Sequence, residues 1–213
     1  WTQNFLPNGG PDLYVPRDRI KLNVIEQNFP PADCEVEEGC TVSGNRRLLR
    51  FDMYTYNIGT EDLVYGNPAD SPLFHYASCH NHYHFEALAG YKVLTLSNDV
   101  VRVGNKLGFC LEDVEYSPQA NSAVKKFTCD NQGIQAGWGD IYNWDLPCQY
   151  IDVTGLPGGD YVLQIVLDPQ NQIPESNEDN NELRIPFHLE DRCSTPPAND
   201  AFLSAQVISG VSL

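Results

Sequence analysis

Short runs of alternating apolar and polar residues, separated by turn residues, dominate this chain and predict strands rather than helices. Gly158-Gly159 turns into Asp160-Tyr161-Val162-Leu163-Gln164-Ile165-Val166-Leu167-Asp168, whose period of two is the clearest in the sequence. A loop containing Pro169 and Pro174 leads to the last predicted strand, Glu182 to His188. Arg47 to Tyr56 reads as a strand ended by Asn57 and Gly59. His82 to Leu96 reads as two strands broken near Ala89-Gly90, a hairpin, and Val100 to Cys110 as a further strand interrupted by Gly104. The Pro- and Asn-rich stretch from Trp1 to about Pro31 is expected to wrap the surface, and Glu112 to Pro147 to be a long irregular segment. The pattern predicts an all-β fold, a β-sandwich core with long irregular loops. After about Arg192 the composition shifts through Cys193-Ser194-Thr195-Pro196-Pro197. Residues 1–192 are therefore expected to form one domain, and 193–213 a linker with the start of another.

Composition narrows the function. At 41% hydrophobic residues the chain can bury a core. The net charge of −16 argues against nucleic acid, whose phosphates need clustered Lys and Arg, and favours cationic ligands such as amines. No apolar run is long enough to span a membrane. Seven cysteines without a C-x-x-C pair suit a disulfide-bearing, secreted or extracellular protein with one thiol left over.

Candidate chemistry concentrates in Cys79-His80-Asn81-His82-Tyr83-His84, which holds three of the five histidines at alternate positions. On an extended strand His80, His82 and His84 point to one face, although the outer Cα atoms lie ~13 Å apart and the strand must curve for all three to meet. Three neutral imidazoles with an open fourth position suit a catalytic copper or zinc ion. The plain alternative is a polar strand face.

Several motifs in order resemble the catalytic domain of the lysyl oxidase family, over about residues 11 to 190. They are Cys34-x5-Cys40 with Glu37-Glu38, Ser78 to His84, Lys106-Leu107-Gly108-Phe109-Cys110-Leu111-Glu112-Asp113, Asp140-Ile141-Tyr142 before Cys148-Gln149-Tyr150-Ile151-Asp152, and Pro174-Glu175-Ser176-Asn177 closing with Asn180-Asn181. The resemblance implies copper on His80, His82 and His84, and a self-made lysine tyrosylquinone joining Lys106 to Tyr142. The implied reaction is oxidation by O2 of a lysine-bearing protein or small primary amine to the aldehyde, releasing ammonia and hydrogen peroxide. It also implies structural calcium on Asp12, the Leu13 carbonyl, Glu175, Asn177, Asn180 and Asn181. The disulfides expected with it are Cys34–Cys40 and Cys79–Cys129. Cys110 and Cys148, which lack the family's partners, are expected to pair with each other, leaving Cys193.

This chain departs from the animal enzymes just before the copper motif, where Phe74, Tyr76 and Ala77 replace tryptophans and a histidine, with His75 shifted. A later family histidine falls near Gly90. A divergent, microbial member is therefore expected. Glu86 and Asp113 are the candidates for the general base, each also readable as a solvated carboxylate. Two other functions remain in view: a three-histidine zinc hydrolase, and a non-catalytic metal-binding β-sandwich module of a secreted protein.

Overall fold

The computed structural model describes residues 9–79, 81–85, 88–104, 109–118 and 120–191. The expectations for Lys106, His80, Glu86, Cys193 and the 193–213 segment fall outside these residues. Fifteen strands are described: β1 (Leu13–Tyr14), β2 (Leu22–Phe29), β3 (Gly44–Phe51), β4 (Met53–Asn57), β5 (Leu63–Gly66), β6 (Phe74–Ala77), β7 (His82–Phe85) and β8 (Ala89–Thr95) come first. They are followed by β9 (Val100–Val103), β10 (Glu115–Tyr116), β11 (Gln132–Ile134), β12 (Trp138–Tyr142), β13 (Tyr150–Asp152), β14 (Gly159–Leu167) and β15 (Glu182–Leu189). The described α-helix is one turn, α1 (Cys34–Glu37). The fold is all-β, with every strand pair antiparallel.

Three sheets carry most of the order: β15-β14-β8-β9, β13-β3-β2 and β1-β4-β12-β10. Alternation in β14 buries Tyr161, Leu163, Ile165 and Leu167, as the period-two pattern predicts. These join Tyr91 and Val93 of β8 against Leu49 and Phe51 of β3 and Ile151 of β13 in one core. Phe51 meets Tyr91 edge-on at 5.0 Å between ring centroids. β15 lies at a sheet edge, which is why Pro186 is tolerated opposite Val162.

Four expectations change. The run from Arg47 to Tyr56 is two strands, because the chain passes at Asp52 from the sheet of β3 to the sheet of β4. His82 to Leu96 forms no hairpin of its own: β7 pairs with β6, while β8 pairs with β14 and β9. Gly90 lies within β8 opposite Val166 and not at a turn; a Cβ there would make ordinary contact with the Pro169 ring at 3.5 Å. The N-terminal stretch does not merely wrap the surface, since β2 pairs over eight residues with β3. The segment from Glu112 to Pro147 contains β10, β11 and β12.

The disulfides are Cys34–Cys79, Cys40–Cys148 and Cys110–Cys129, replacing all three expected pairings. The helical turn α1 separates the first two cysteines. Cys40 lies in a small core with Phe29, Leu48 and Tyr150, beside Cys148, while Cys34 bonds to the turn that precedes β7. A short loop between two cysteines does not bring them together when a helix between them turns them to different faces.

Candidate metal and cofactor centre

The hairpin of β6 and β7 has two chemically different faces. Its register sets Phe74 opposite Phe85, His75 opposite His84, Tyr76 opposite Tyr83 and Ala77 opposite His82. Directly opposed residues of an antiparallel pair share a face. The ring contacts agree, at 5.2 Å for both Phe74–Phe85 and Tyr76–Tyr83. One face is therefore aromatic and the other carries His75, His82 and His84 with Ala77. Gln132 holds the hairpin by donating from Nε2 to the Tyr83 carbonyl at 3.1 Å.

The Nε2 atoms of His82 and His84 stand 2.9 Å apart. That is a hydrogen-bond distance, one ring donating to the other; at the same spacing two nitrogens each about 2.0 Å from a shared ion would subtend close to a right angle, which suits a tetragonal copper site better than a tetrahedral zinc one. His84 is buried, His82 half-buried and His75 exposed.

Phe109 lies beyond His84, with ring centroids 5.8 Å apart, and packs on Tyr142 at 4.5 Å. The Phe85 N–H donates to the Phe109 carbonyl at 2.9 Å, tying β7 to this segment. The Phe109 ring thus lies between the histidine face and Tyr142 and touches both. Tyr142 ends β12, paired with Met53 of β4. Gly139 earlier on that strand is required, because a Cβ there would lie 2.2 Å from Tyr56 Cδ1. The Tyr142 hydroxyl is fully buried and makes no hydrogen bond within 3.5 Å among the described residues. Burial raises its pKa well above the usual tyrosine range, and the Asp140 carboxylate adds to the effect.

Asp140 is not among the residues that the sequence pattern marks for chemistry; its signal is its place two residues before Tyr142 on a strand, which puts both on one face. It is 2% exposed. Its oxygens accept the Ile141 N–H at 2.8 Å and the Glu112 N–H at 3.3 Å. Burial holds its pKa well above the ordinary carboxylate value. Asp113, an expected base candidate, is 1% exposed but saturated. It accepts the N–H groups of Lys126, Phe127 and Gln135 and the Gln135 amide, all at 2.8–2.9 Å. That is a structural carboxylate and not a base.

Staples surround these pieces. Cys79 follows β6, Cys110 follows Phe109, and Cys148 closes the loop after Tyr142. Arg50, stacked on Tyr150 at 4.7 Å, donates to the carbonyls of Trp144 and Leu146 in that loop.

The second cluster lies in the loop between β14 and β15. Leu13 N–H donates to Glu175 Oε2 at 2.5 Å, and Asn180 Nδ2 to Asp12 Oδ1 at 2.8 Å. Asn181 Nδ2 donates to Glu175 Oε1 at 2.9 Å. Five of the six expected calcium residues are therefore together. Asn177 instead accepts the Asp179 N–H within its own turn. The Oδ1 atoms of Asn180 and Asn181 are buried without hydrogen-bond partners among the described residues. Oxygen donors around partly desolvated carboxylates fit a hard cation. Desolvation pushes the Glu175 pKa up to about 7.

Comparison with known proteins meets this geometry from the other side. The lysyl oxidase family model matches residues 28–195, and this chain belongs to the lysyl oxidase family. Lysyl oxidase homolog 2 of Rattus norvegicus is 34% identical over 186 residues, covering 82% of this chain and 24% of the relative. Lysyl oxidase homolog 4 of Mus musculus is 33% identical over 192 residues, covering 83% and 25%. Lysyl oxidase homolog 3 of Homo sapiens is 36% identical over 164 residues, covering 71% and 21%. The chain spans about a quarter of the length of these curated relatives.

Proposed function

We propose that this chain is a copper-dependent amine oxidase acting on peptidyl-lysine or other primary amines, with a lysine tyrosylquinone made from Lys106 and Tyr142. The observation that carries the reading is the pair of Nε2 atoms 2.9 Å apart on a hairpin face in contact, through Phe109, with buried Tyr142. His80, His82 and His84 would hold the copper, imidazole being a good ligand for that ion. The quinone, when present, would supply an electron sink for oxidising an amine to an aldehyde, with O2 and water consumed and ammonia and hydrogen peroxide released.

The chain's own residues do the rest. Phe109 and the aromatic surroundings keep water from Tyr142. Asp140 is the carboxylate at that hydroxyl with acceptor capacity to spare, and it is the residue we assign to take up a proton there. The net charge of −16 favours the approach of a cationic amine. Calcium on Asp12, Leu13, Glu175, Asn180 and Asn181 would be structural, joining β1 to the loop before β15. The disulfides fit an oxidising, extracellular setting. No described helix is long and apolar enough to cross a membrane.

Copper-loaded, aerated protein should develop a visible absorbance band that phenylhydrazine shifts and intensifies by forming a conjugated adduct, and its peptide map should join Lys106 to Tyr142. A copper-loaded sample with no such band and with the two peptides separate would overturn the reading. Zinc cannot produce the band, because it has no redox chemistry.

A further inference from the structure

Thr55 of β4 lies directly opposite Asp140 of β12, and Met53 lies opposite Tyr142. Directly opposed residues of an antiparallel pair share a face, with Cβ atoms about 5 Å apart. Thr55, Asp140 and Tyr142 therefore line one side of this sheet. It is the inner side, because Tyr54 and Tyr56 alternate to the other one, where Arg19 lies over the Tyr54 ring at 4.3 Å. Thr55 is 1% exposed and Tyr142 4% exposed. Neither hydroxyl has a hydrogen-bond partner among the described residues.

Two orphaned hydroxyls thus flank a buried carboxylate with lone pairs to spare. Asp140 Oδ1 accepts the Ile141 N–H and Oδ2 the Glu112 N–H, and each oxygen has room for a further bond. A hydroxyl buried at position 55 destabilises the fold unless something serves it, and valine would fill the same space without that cost. The three groups complement one another, since hydroxyls donate or accept and a carboxylate only accepts. A buried water typically makes about three hydrogen bonds, which is what these groups offer. A hard cation would ask for about six to eight oxygens, more than two hydroxyls and one carboxylate supply beside Met53 and Phe109.

We infer that Thr55 is a positioning residue that holds a buried water between the Tyr142 hydroxyl and the Asp140 carboxylate. This rests on the proposed role of Asp140 as proton acceptor at that hydroxyl. The Tyr142 O–H gives its proton to the water, and the water passes one of its own to an Asp140 oxygen. One O–H bond breaks at Tyr142, one forms at Asp140, and the water is regenerated. Thr55 fixes the water in line by a hydrogen bond and itself keeps its proton. Among the described residues the titratable groups around Asp140 are Tyr142 on its own strand, Tyr91 of β8, and Glu112, whose carboxylate pairs with Lys125 at 2.6 Å.

A high-resolution crystal structure of the whole chain, without added copper, should show an ordered water within hydrogen-bond distance of Thr55 Oγ1 and an Asp140 oxygen. Thr55→Val keeps the shape and removes the hydroxyl. It is expected to raise the Asp140 pKa by about one unit, read by carbon-13 NMR titration of the copper-free chain, because the carboxylate loses a donor that favours its charged form. Thr55→Ser should bring that value back toward the parent's. In copper-loaded protein Thr55→Val should lower amine turnover about tenfold, with serine recovering most of it. A parent crystal structure with no water between these groups overturns the inference. So does a Thr55→Val protein whose Asp140 titrates as in the parent, or a serine variant shifted as far as the valine one. A copper-loaded parent that forms no quinone band and oxidises no amine overturns the proposed function instead, since the water and the Asp140 shift are read without copper.

Discussion

The hairpin of β6 and β7 and the loop between β14 and β15 each gather metal-binding groups, but from opposite ends of the chemical scale. The hairpin offers imidazole nitrogens against aromatic rings, with His84 4% exposed. The loop offers carboxylate and amide oxygens, and two of its acids, Glu178 and Asp179, are exposed. Nitrogen donors in a dry aromatic setting favour a transition metal, and clustered oxygens favour a hard, closed-shell ion. The two places also treat buried charge differently. Asp140 lies beside Tyr142 with the Glu112 carboxylate near enough to raise the pKa of both, whereas the loop brings the carboxylates of Asp168, Glu175 and Glu178 within 4.8 Å of one another.

The separation can be broken most completely at the histidines. His84→Ala should abolish copper retention, measured by metal analysis after gel filtration, and leave the calcium-induced rise in melting temperature intact. Loss of both together would show that the two regions are one.

The two buried aspartates sharpen the contrast next. Asp113→Ala leaves four donors without their acceptor and should cost about 2–4 kcal/mol in denaturant unfolding. Asp140→Asn removes a charge that burial disfavours, so its stability should hold or rise. In the same variant copper content should persist while amine turnover falls at least about a hundredfold, the scale of a lost proton acceptor. Full turnover in Asp140→Asn would remove it from the reaction.

The smallest effect expected is one of pH. The folded-state pKa of Glu175 is raised to about 7 from 4.5, so the folded state binds its proton more tightly than the unfolded chain. Calcium-depleted protein should therefore lose stability as pH rises from about 4.5 through 7, by on the order of 1–2 kcal/mol after solvent screening. Calcium should restore it and release protons on binding. A calcium-free melting temperature that climbs over that window would contradict the assignment.

Strands whose two faces meet different surroundings are legible in the sequence, β14 above all, because one face is buried and the other wet. The juxtaposition of His82 and His84 is legible because imidazoles at alternate positions of a strand share a face; His80 lies outside the described residues. β2 is not, since its half-buried residues lack clean alternation: Val24 and Ile25 are neighbours and both partly buried. Nor are the disulfides, whose partners depend on the direction in which one turn of helix points Cys34. Asp140 is hidden in the sequence because its importance comes from burial and from a hydroxyl neighbour that only the strand geometry supplies.

The division of the β6–β7 hairpin into an imidazole face and an aromatic face makes its alignment a matter of fidelity in folding. Side chains alternate strictly, so sliding one strand by a single residue would exchange the faces, turning Tyr83 and Phe85 toward the metal and the histidines toward the core. A two-stranded ribbon is too marginal to enforce its own alignment. The Cys34–Cys79 bond attaches the chain just after β6 to a helix outside the ribbon and so acts as a proofreading clamp. A molecule oxidised in another pairing would lose that clamp while keeping its larger sheets, so the alignment of the histidine face depends on correct thiol oxidation.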